Sequence, residues 1–402
     1  MIKNFILELE TGSKNALYKK TIIQTFINFG DTSISDIARE MDMSVPTVTK
    51  LIEELIEEGY VLDYGKQETN GGRRPNIYGL NPRACYFIGV DIRRFRMNIA
   101  LSNFKGESIK VKRNIPFYLE HSREALDQLC SIISSFIDKL TIAKDKIRNI
   151  AINISGRVNS DSGYSYSFFY FDEKPMAQTI EDRLGYSVSV DNDSRAMAYG
   201  EYMCATTNVK QMLFVNVSWG LGLGMILDGK LFYGKSGFSG EFGHYPVFDN
   251  EILCHCGKKG CLETEASGQA IYRMMKEKIA NGSTTCLYEK FANDDVTMED
   301  IVDATLRDDV LAIEMVEKVG ATLGKHIAGL INIFNPELVV IGGGLAMTGD
   351  YLLLPIKSAV RKYSLNLVNK DTVIHSSKLG DDVGMLGACI LARSKMFKLL
   401  LP

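Results

Sequence analysis

Three of the eight cysteines of this chain fall on one short segment, Cys254-His255-Cys256-Gly257-Lys258-Lys259-Gly260-Cys261. Thiolates this close together, on a loop whose glycines let it fold back, are donors suited to a tetrahedral metal ion. The remaining five (Cys85, Cys130, Cys204, Cys286, Cys389) are scattered. That is the pattern of small buried residues in a reduced cytoplasm and not of a disulfide framework. A second concentration of chemistry is basic. Between Tyr64 and Arg96 lie Lys66, Arg73, Arg74, Arg83, Arg93, Arg94 and Arg96, against Glu68 and Asp91. Composition alone makes this a solvated linker. The run Gly71-Gly72-Arg73-Arg74-Pro75 says more. Glycines let the backbone approach a surface, and paired arginines fit a narrow minor groove.

Those arginines need a scaffold, and the residues before them supply one. Ala16–Gly30 places Leu17, Ile22, Ile23, Phe26 and Ile27 at near-helical spacing and stops at a glycine. Ser33 or Ser35 can cap a short helix over 35–41, and Asp42-Met43-Ser44 reads as a turn. Ser44 caps the next helix, with Val45, Val48, Leu51, Ile52, Leu55 and Ile56 as its apolar face. Pro46, Thr47, Thr49 and Lys50 form its small, hydroxylated and basic N-terminal face, while Glu53, Glu54, Glu57 and Glu58 should point away from a polyanion. Helix, turn, helix is the arrangement whose second helix enters the major groove by its N-terminal residues. The stretches 59–62 and 76–80 would be the two strands of a wing with Arg73 and Arg74 at its tip.

The 402 residues are 46% hydrophobic and 24% charged, with a net charge of -3. This describes a folded chain of more than one domain and excludes a mostly disordered one. No apolar run is long enough to span a membrane. Met1–Glu10 lacks the pattern of a secretory signal, so a cytoplasmic location without membrane contact is expected. Beyond residue 82, strands are predicted at 86–92, 96–102, 148–154, 187–190, 213–217 and 338–341. Helices over 123–140 and 312–334 are prominent among those between them. Strands alternating with helices make an α/β fold, here in two lobes that each open with a strand hairpin.

Gly240-Glu241-Phe242-Gly243-His244, followed by Cys254 to Glu263, resembles the signature of the ROK family (repressors, open reading frames and kinases). Val190-Asp191-Asn192-Asp193 is similar to the family's sugar-binding Asn-Asp motif, and Asn335-Pro336-Glu337 leading into Gly342-Gly343-Gly344 is family-like. The resemblance spans about residues 84 to 395. It implies a two-lobed, ribonuclease-H-like body of the actin/hexokinase type behind a winged helix-turn-helix at residues 1–82. The body would cover 83–402, with a first lobe at 83–210 and a second at 211–402, the C-terminal helix returning to the first lobe. It further implies His244 as the fourth ligand beside Cys254, Cys256 and Cys261. His255 is a competing candidate, but between two ligands its side chain should point away. Four filled positions leave none for a catalytic water, so the zinc would be structural. The implied sugar ligands are Asn192, Asp193, Glu241, His244 and Glu263, with one ring nitrogen of His244 on zinc and the other free for the sugar.

Kinases of the family carry Asp-Ile-Gly-Gly-Thr after the first strand and a later Gly-Thr-Gly, and Asp193 stands at their general-base position. Here the first turn reads Asp91-Ile92-Arg93-Arg94-Phe95, and the second Ser218-Trp219-Gly220-Leu221-Gly222. Both phosphate turns are altered while the sugar motif is intact. The resemblance therefore implies a sugar-responsive repressor with no catalytic residues. Its partners would be operator DNA, a monosaccharide or derivative as inducer, and copies of itself in a homodimer or homotetramer. The alternative is a sugar kinase with an accessory DNA-binding domain.

Overall fold

A computed structural model describes residues 2–66, 75–171, 173–204 and 209–399. The N-terminal module contains helices Lys14–Phe29, Ile34–Glu40 and Val45–Glu57. Each begins at a serine (Ser13, Ser33, Ser44) whose hydroxyl accepts a hydrogen bond from a backbone N–H of the first turn. Pro46 falls where its missing N–H costs nothing. Val48, Leu51, Ile52 and Leu55 are buried, and Glu54 and Glu58 close over buried Lys19 at 2.9 and 2.7 Å. Strands Val61–Lys66 and Asn76–Leu80 pair antiparallel, and Thr32–Ser33 adds a third edge. Arg73 and Arg74, at the tip of this hairpin, lie outside the described residues. The sequence reading missed one helix, Ile2–Thr11.

Two five-stranded sheets follow. The first has the spatial order 188–192, 147–154, 86–92, 96–103, 108–116; the second 230–231, 221–227, 212–217, 338–342, 373–376. In each, the first three strands form an antiparallel meander and the last two add in parallel beside the first. The two lobes are thus topological repeats. The strand Leu221–Leu227 was hidden in the sequence because Gly222 and Gly224 interrupt its apolar run. Those glycines are needed. A side chain at Gly224 would meet Ala198 Cβ at 2.4 Å, on the helix Asp193–Cys204 that crosses this strand.

The C-terminal helix Val383–Met396 packs on the first sheet and against Asp193–Cys204. The winged module is not hung on a linker. Phe5, Tyr60 and Leu80 share one core with Phe87, Phe104, Ala151 and Phe397. The Tyr60 ring meets Phe104 at 5.8 Å and Phe397 at 5.7 Å, both edge-on. Burial of this size, worth about 1.5–3 kcal/mol per large side chain, joins the N-terminal module to the first lobe. A movement of that lobe carries the winged helix with it. Among the described residues no helix is long and apolar enough to cross a membrane.

Candidate functional site

The metal cluster is assembled from two short turns of the second lobe. Gly240 has φ +85°, and a Cβ there would lie 2.0 Å from the Leu223 carbonyl oxygen. Only glycine therefore lets the chain turn against the strand and enter the single turn Phe242–His244. The cysteine segment folds back on itself through Cys254 N–H to Lys258 O, 2.8 Å. The ligand atoms of His244, Cys254, Cys256 and Cys261 all lie within 4.8 Å of one another. Cys256 Sγ to Cys261 Sγ is 3.7 Å, and Cys254 Sγ to His244 Nδ1 is 3.6 Å. A tetrahedron with the usual Zn–S and Zn–N lengths has edges of about 3.8 and 3.5 Å. The donor set and its spacing are thus compatible with zinc.

Next to this cluster, Glu263 is buried and fully engaged. Its Oε1 is 3.0 Å from His255 Nδ1, and its Oε2 accepts the Leu221 N–H at 2.8 Å. His255 does not point away from the site, as the sequence reading expected, because this buried carboxylate draws it in. The hydrogen bond that His255 donates to Glu263 raises the pKa of His255, and burial opposes the rise. His244 turns its other ring nitrogen toward Glu241, Nε2 to Oε2 3.8 Å. Nδ1 thus faces the thiolates and Nε2 faces the cleft.

From the first lobe come Asn192 and Asp193, at the end of the strand Val188–Asn192 and the start of the helix Asp193–Cys204. The Asn192 side chain is largely spent on local structure. Its Oδ1 accepts the N–H groups of Ser194 and Arg195, and its Nδ2 donates to Gly156 O at 3.0 Å. One N–H is left to face a ligand. Asp193 holds the Ser194 N–H with Oδ1 at 2.7 Å, while Oδ2 has only a long contact of 3.4 Å to Asn216 Nδ2. Burial, and then the nearby charge of Asp91, push the Asp193 carboxyl up to about 6.

The sequence reading missed Arg195. It is the largest fully buried side chain described. Its Nε donates to Asp191 at 2.8 Å, one terminal nitrogen to Gly237 O at 2.7 Å and the other to Val158 O at 2.8 Å. One guanidinium thereby pins the loops that frame the sugar residues from both lobes. The available signal was an arginine close after Asp191, where the strand Val188–Asn192 gives way to the helix Asp193–Cys204. Burial would raise the Asp191 pKa, but Lys395 and Arg195 outweigh it and hold the group below the usual carboxylate range.

The two altered phosphate turns meet. Phe95 and Trp219, one from each lobe, pack edge to face at 5.3 Å. Arg93 donates to Asp91 at 2.8 Å and also pairs with Asp381. Arg96 reaches Glu299 of the second lobe at 2.8 Å. The space between the turns is taken by side chains that bind each other. On the winged module, Pro46, Thr47 and Lys50 are exposed. Thr49 donates its hydroxyl proton to Val45 O, 2.8 Å, so its methyl and its oxygen lone pairs are what remain free.

An expected result tests the role of Asp193. Its pKa in the fold lies above that of the unfolded chain, so the folded state binds the proton more tightly. Its contribution to stability is then fullest below the unfolded value and is lost as pH rises through about 6. Asp193→Asn should therefore melt no lower than wild type at pH 7.5, with the difference shrinking toward pH 5, while its sugar response is lost. Melting curves at the two pH values, with a sugar titration, check both halves.

The comparisons agree with this architecture. The ROK family matches residues 87–395, and a winged helix-turn-helix DNA-binding family matches 18–61. The chain is 30% identical over 382 residues to the xylose repressor of Caldicellulosiruptor bescii, covering 94% of this chain and 96% of that one. It is 30% identical over 321 residues to a glucokinase of Halalkalibacterium halodurans, covering 77% of this chain and 96% of the relative. A crystal structure of a ROK family transcriptional regulator, homologous to the Escherichia coli MLC protein, superposes with a TM-score of 0.78. It is 28% identical and covers 95% of this chain and 96% of that one. With matching motifs along the body and a matching module in front of it, the chain belongs to the ROK family.

Proposed function

We propose that this chain is a sugar-responsive, DNA-binding transcriptional repressor and not a sugar kinase. The observation that carries the reading is the contrast between two sites. Asp193 and Glu241 leave carboxylate oxygens free to accept and His244 leaves its Nε2–H free to donate, whereas the phosphate turns close on each other through Phe95 and Trp219. Phosphoryl transfer depends on positioning a nucleotide, and a ring pair in the phosphate turns obstructs that.

In this reading residues 1–82 bind operator DNA through Pro46, Thr47, Thr49 and Lys50 in the major groove and through Arg73 and Arg74 on the wing. Residues 83–402 hold a monosaccharide or derivative on Asn192, Asp193, Glu241, His244 and Glu263. Zinc on His244, Cys254, Cys256 and Cys261 is structural: it fixes the turn that aims Glu241 and the His244 Nε2. Glu263 first has to exchange its bond to His255 for one to the sugar. The protein works in the cytoplasm as a homodimer or homotetramer, since two half-sites are read by two-fold symmetric copies. Because the winged module shares its core with the first lobe, a sugar that changes the angle between the lobes moves the module on DNA.

The sugar can shift the population only by its differential affinity for the two arrangements. Genomic fragments selected on the purified protein supply the operator. Saturating xylose, glucose or N-acetylglucosamine is then titrated against it. One of them should lower operator affinity by about 5–150-fold, with reciprocal weakening of the sugar by DNA. An operator affinity unchanged by every sugar, or steady ADP release with any of them, would overturn the reading. In the same assay, alanine at Lys50, Arg73 and Arg74 should weaken binding. It should also flatten the salt slope by about one per lost phosphate contact.

A further inference from the structure

The aromatic residues between 164 and 171 are not used by a site for one sugar ring. Tyr166 is 48% exposed, and Phe238, three residues before Glu241, is 37% exposed. Isolated exposed aromatics need no explanation. These touch. The rings of Tyr164 and Tyr166 lie 6.1 Å apart at 29°, and Tyr166 meets Phe238 edge-on at 5.6 Å. Three rings from two loops, one per lobe, therefore form a continuous strip.

The strip is built into the site and does not merely neighbour it. Tyr166 N–H bonds to Arg157 O at 2.8 Å, and Ser167 Oγ accepts the Arg157 N–H at 3.0 Å. The carbonyl of Gly156, next in the chain, receives the Asn192 side chain. On the other side, Asn159 Nδ2 bonds to Ser236 O at 3.2 Å, and Arg195 holds Gly237 O. The guanidinium that holds Asp191, the residue before Asn192 and Asp193, thus also fixes the backbone beside Phe238.

Polar residues that bind one sugar unit, continued by exposed rings, have a direct chemical reading. A pyranose has a C–H-rich face that packs on an aromatic ring, and its hydroxyls at the rim stay in water. We propose that the effector is a glycan of two or more units. One unit sits among Asp193, Glu241 and His244, and the next lies on the rings of Tyr166 and Phe238. This inference rests on the sugar-sensing reading above and narrows its ligand class.

Calorimetric titration of the full-length protein separates the two. The probes are glucose, xylose and N-acetylglucosamine, each beside its 1,4-linked disaccharide: cellobiose, maltose, xylobiose and chitobiose. At least one disaccharide should bind about tenfold more tightly than its monosaccharide. Tyr166→Ala and Phe238→Ala should each remove that advantage and leave the monosaccharide affinity unchanged. Phe238→Tyr should restore it. Both alanine changes lie at exposed positions, and melting curves confirm that the fold is kept. If every disaccharide binds no better than its monosaccharide, or the advantage survives both variants, the inference falls and sugar sensing stands. If no sugar of either size binds, both fall.

Discussion

Wild-type protein should purify with about one zinc per chain, whereas Cys256→Ser should purify without it and should no longer respond to sugar. Cys256 is the informative position because Cys254 and Cys261 are buried, so replacing either also disturbs packing. A three-donor remnant binds the ion far more weakly, and the thiolates left behind no longer hold the turn. His244 then loses the partner that fixes its ring, and Nε2 is no longer presented to the cleft. Groups that orient such a ring are worth about 10–100-fold in affinity or activity. The sugar affinity should fall by at least that lower figure. The second lobe should stay folded, because its core rests mainly on the strands 212–217 and 338–342 and the long helix Val310–Phe334, with Phe242 and Leu262 joining it from beside the metal-ligating turns. Elemental analysis and sugar titration of wild type and variant check this. A wild-type protein without zinc that still binds sugar would sink the metal assignment.

Arg195→Met is expected to be the most destabilising single change near the site, at about 3–5 kcal/mol. It leaves Asp191 buried without its guanidinium, held by the Asn192 N–H at 2.8 Å on Oδ1 and by Lys395 at 3.3 Å and the Tyr233 hydroxyl at 3.1 Å on Oδ2. It also strips donors from the carbonyls of Val158 and Gly237. Asp191→Asn in the same background should recover part of the loss, since the uncompensated charge is then removed. Denaturant midpoints of the two single variants and the double variant give the coupling directly. A loss below about 1 kcal/mol for Arg195→Met would mean that the guanidinium is replaced easily by water. The loops at 156–171 and 232–241 would then owe their placement to other contacts.

Fold and chemistry were legible in unequal measure. Whatever depends on neighbours in sequence could be read directly. The serine caps of the short helices and the Cys254 to Cys261 loop are set by local backbone preference and by donors a few residues apart. Resemblance added His244 and the cleft residues, because that motif keeps its spacing. The helix Ile2–Thr11 escaped notice because its apolar residues Phe5 and Leu9 acquire a partner only when Tyr60 and Phe397 arrive from distant parts of the chain.

What tertiary structure alone decided is which of these residues remain free. Sequence lists Asn192 and Glu263 as sugar ligands. Folding engages the Asn192 amide with Gly156 and the Glu263 carboxylate with His255 and Leu221. Sequence shows that Phe95 and Trp219 replace small residues in two separate turns. Only the closing of one lobe on the other brings their rings together. Arg195 is one charged residue among many until Gly237 and Val158 enclose it. Local spacing determines which groups are offered. The low-dielectric, long-range contacts of the folded chain determine which of them are consumed in holding the structure and which are left for a ligand.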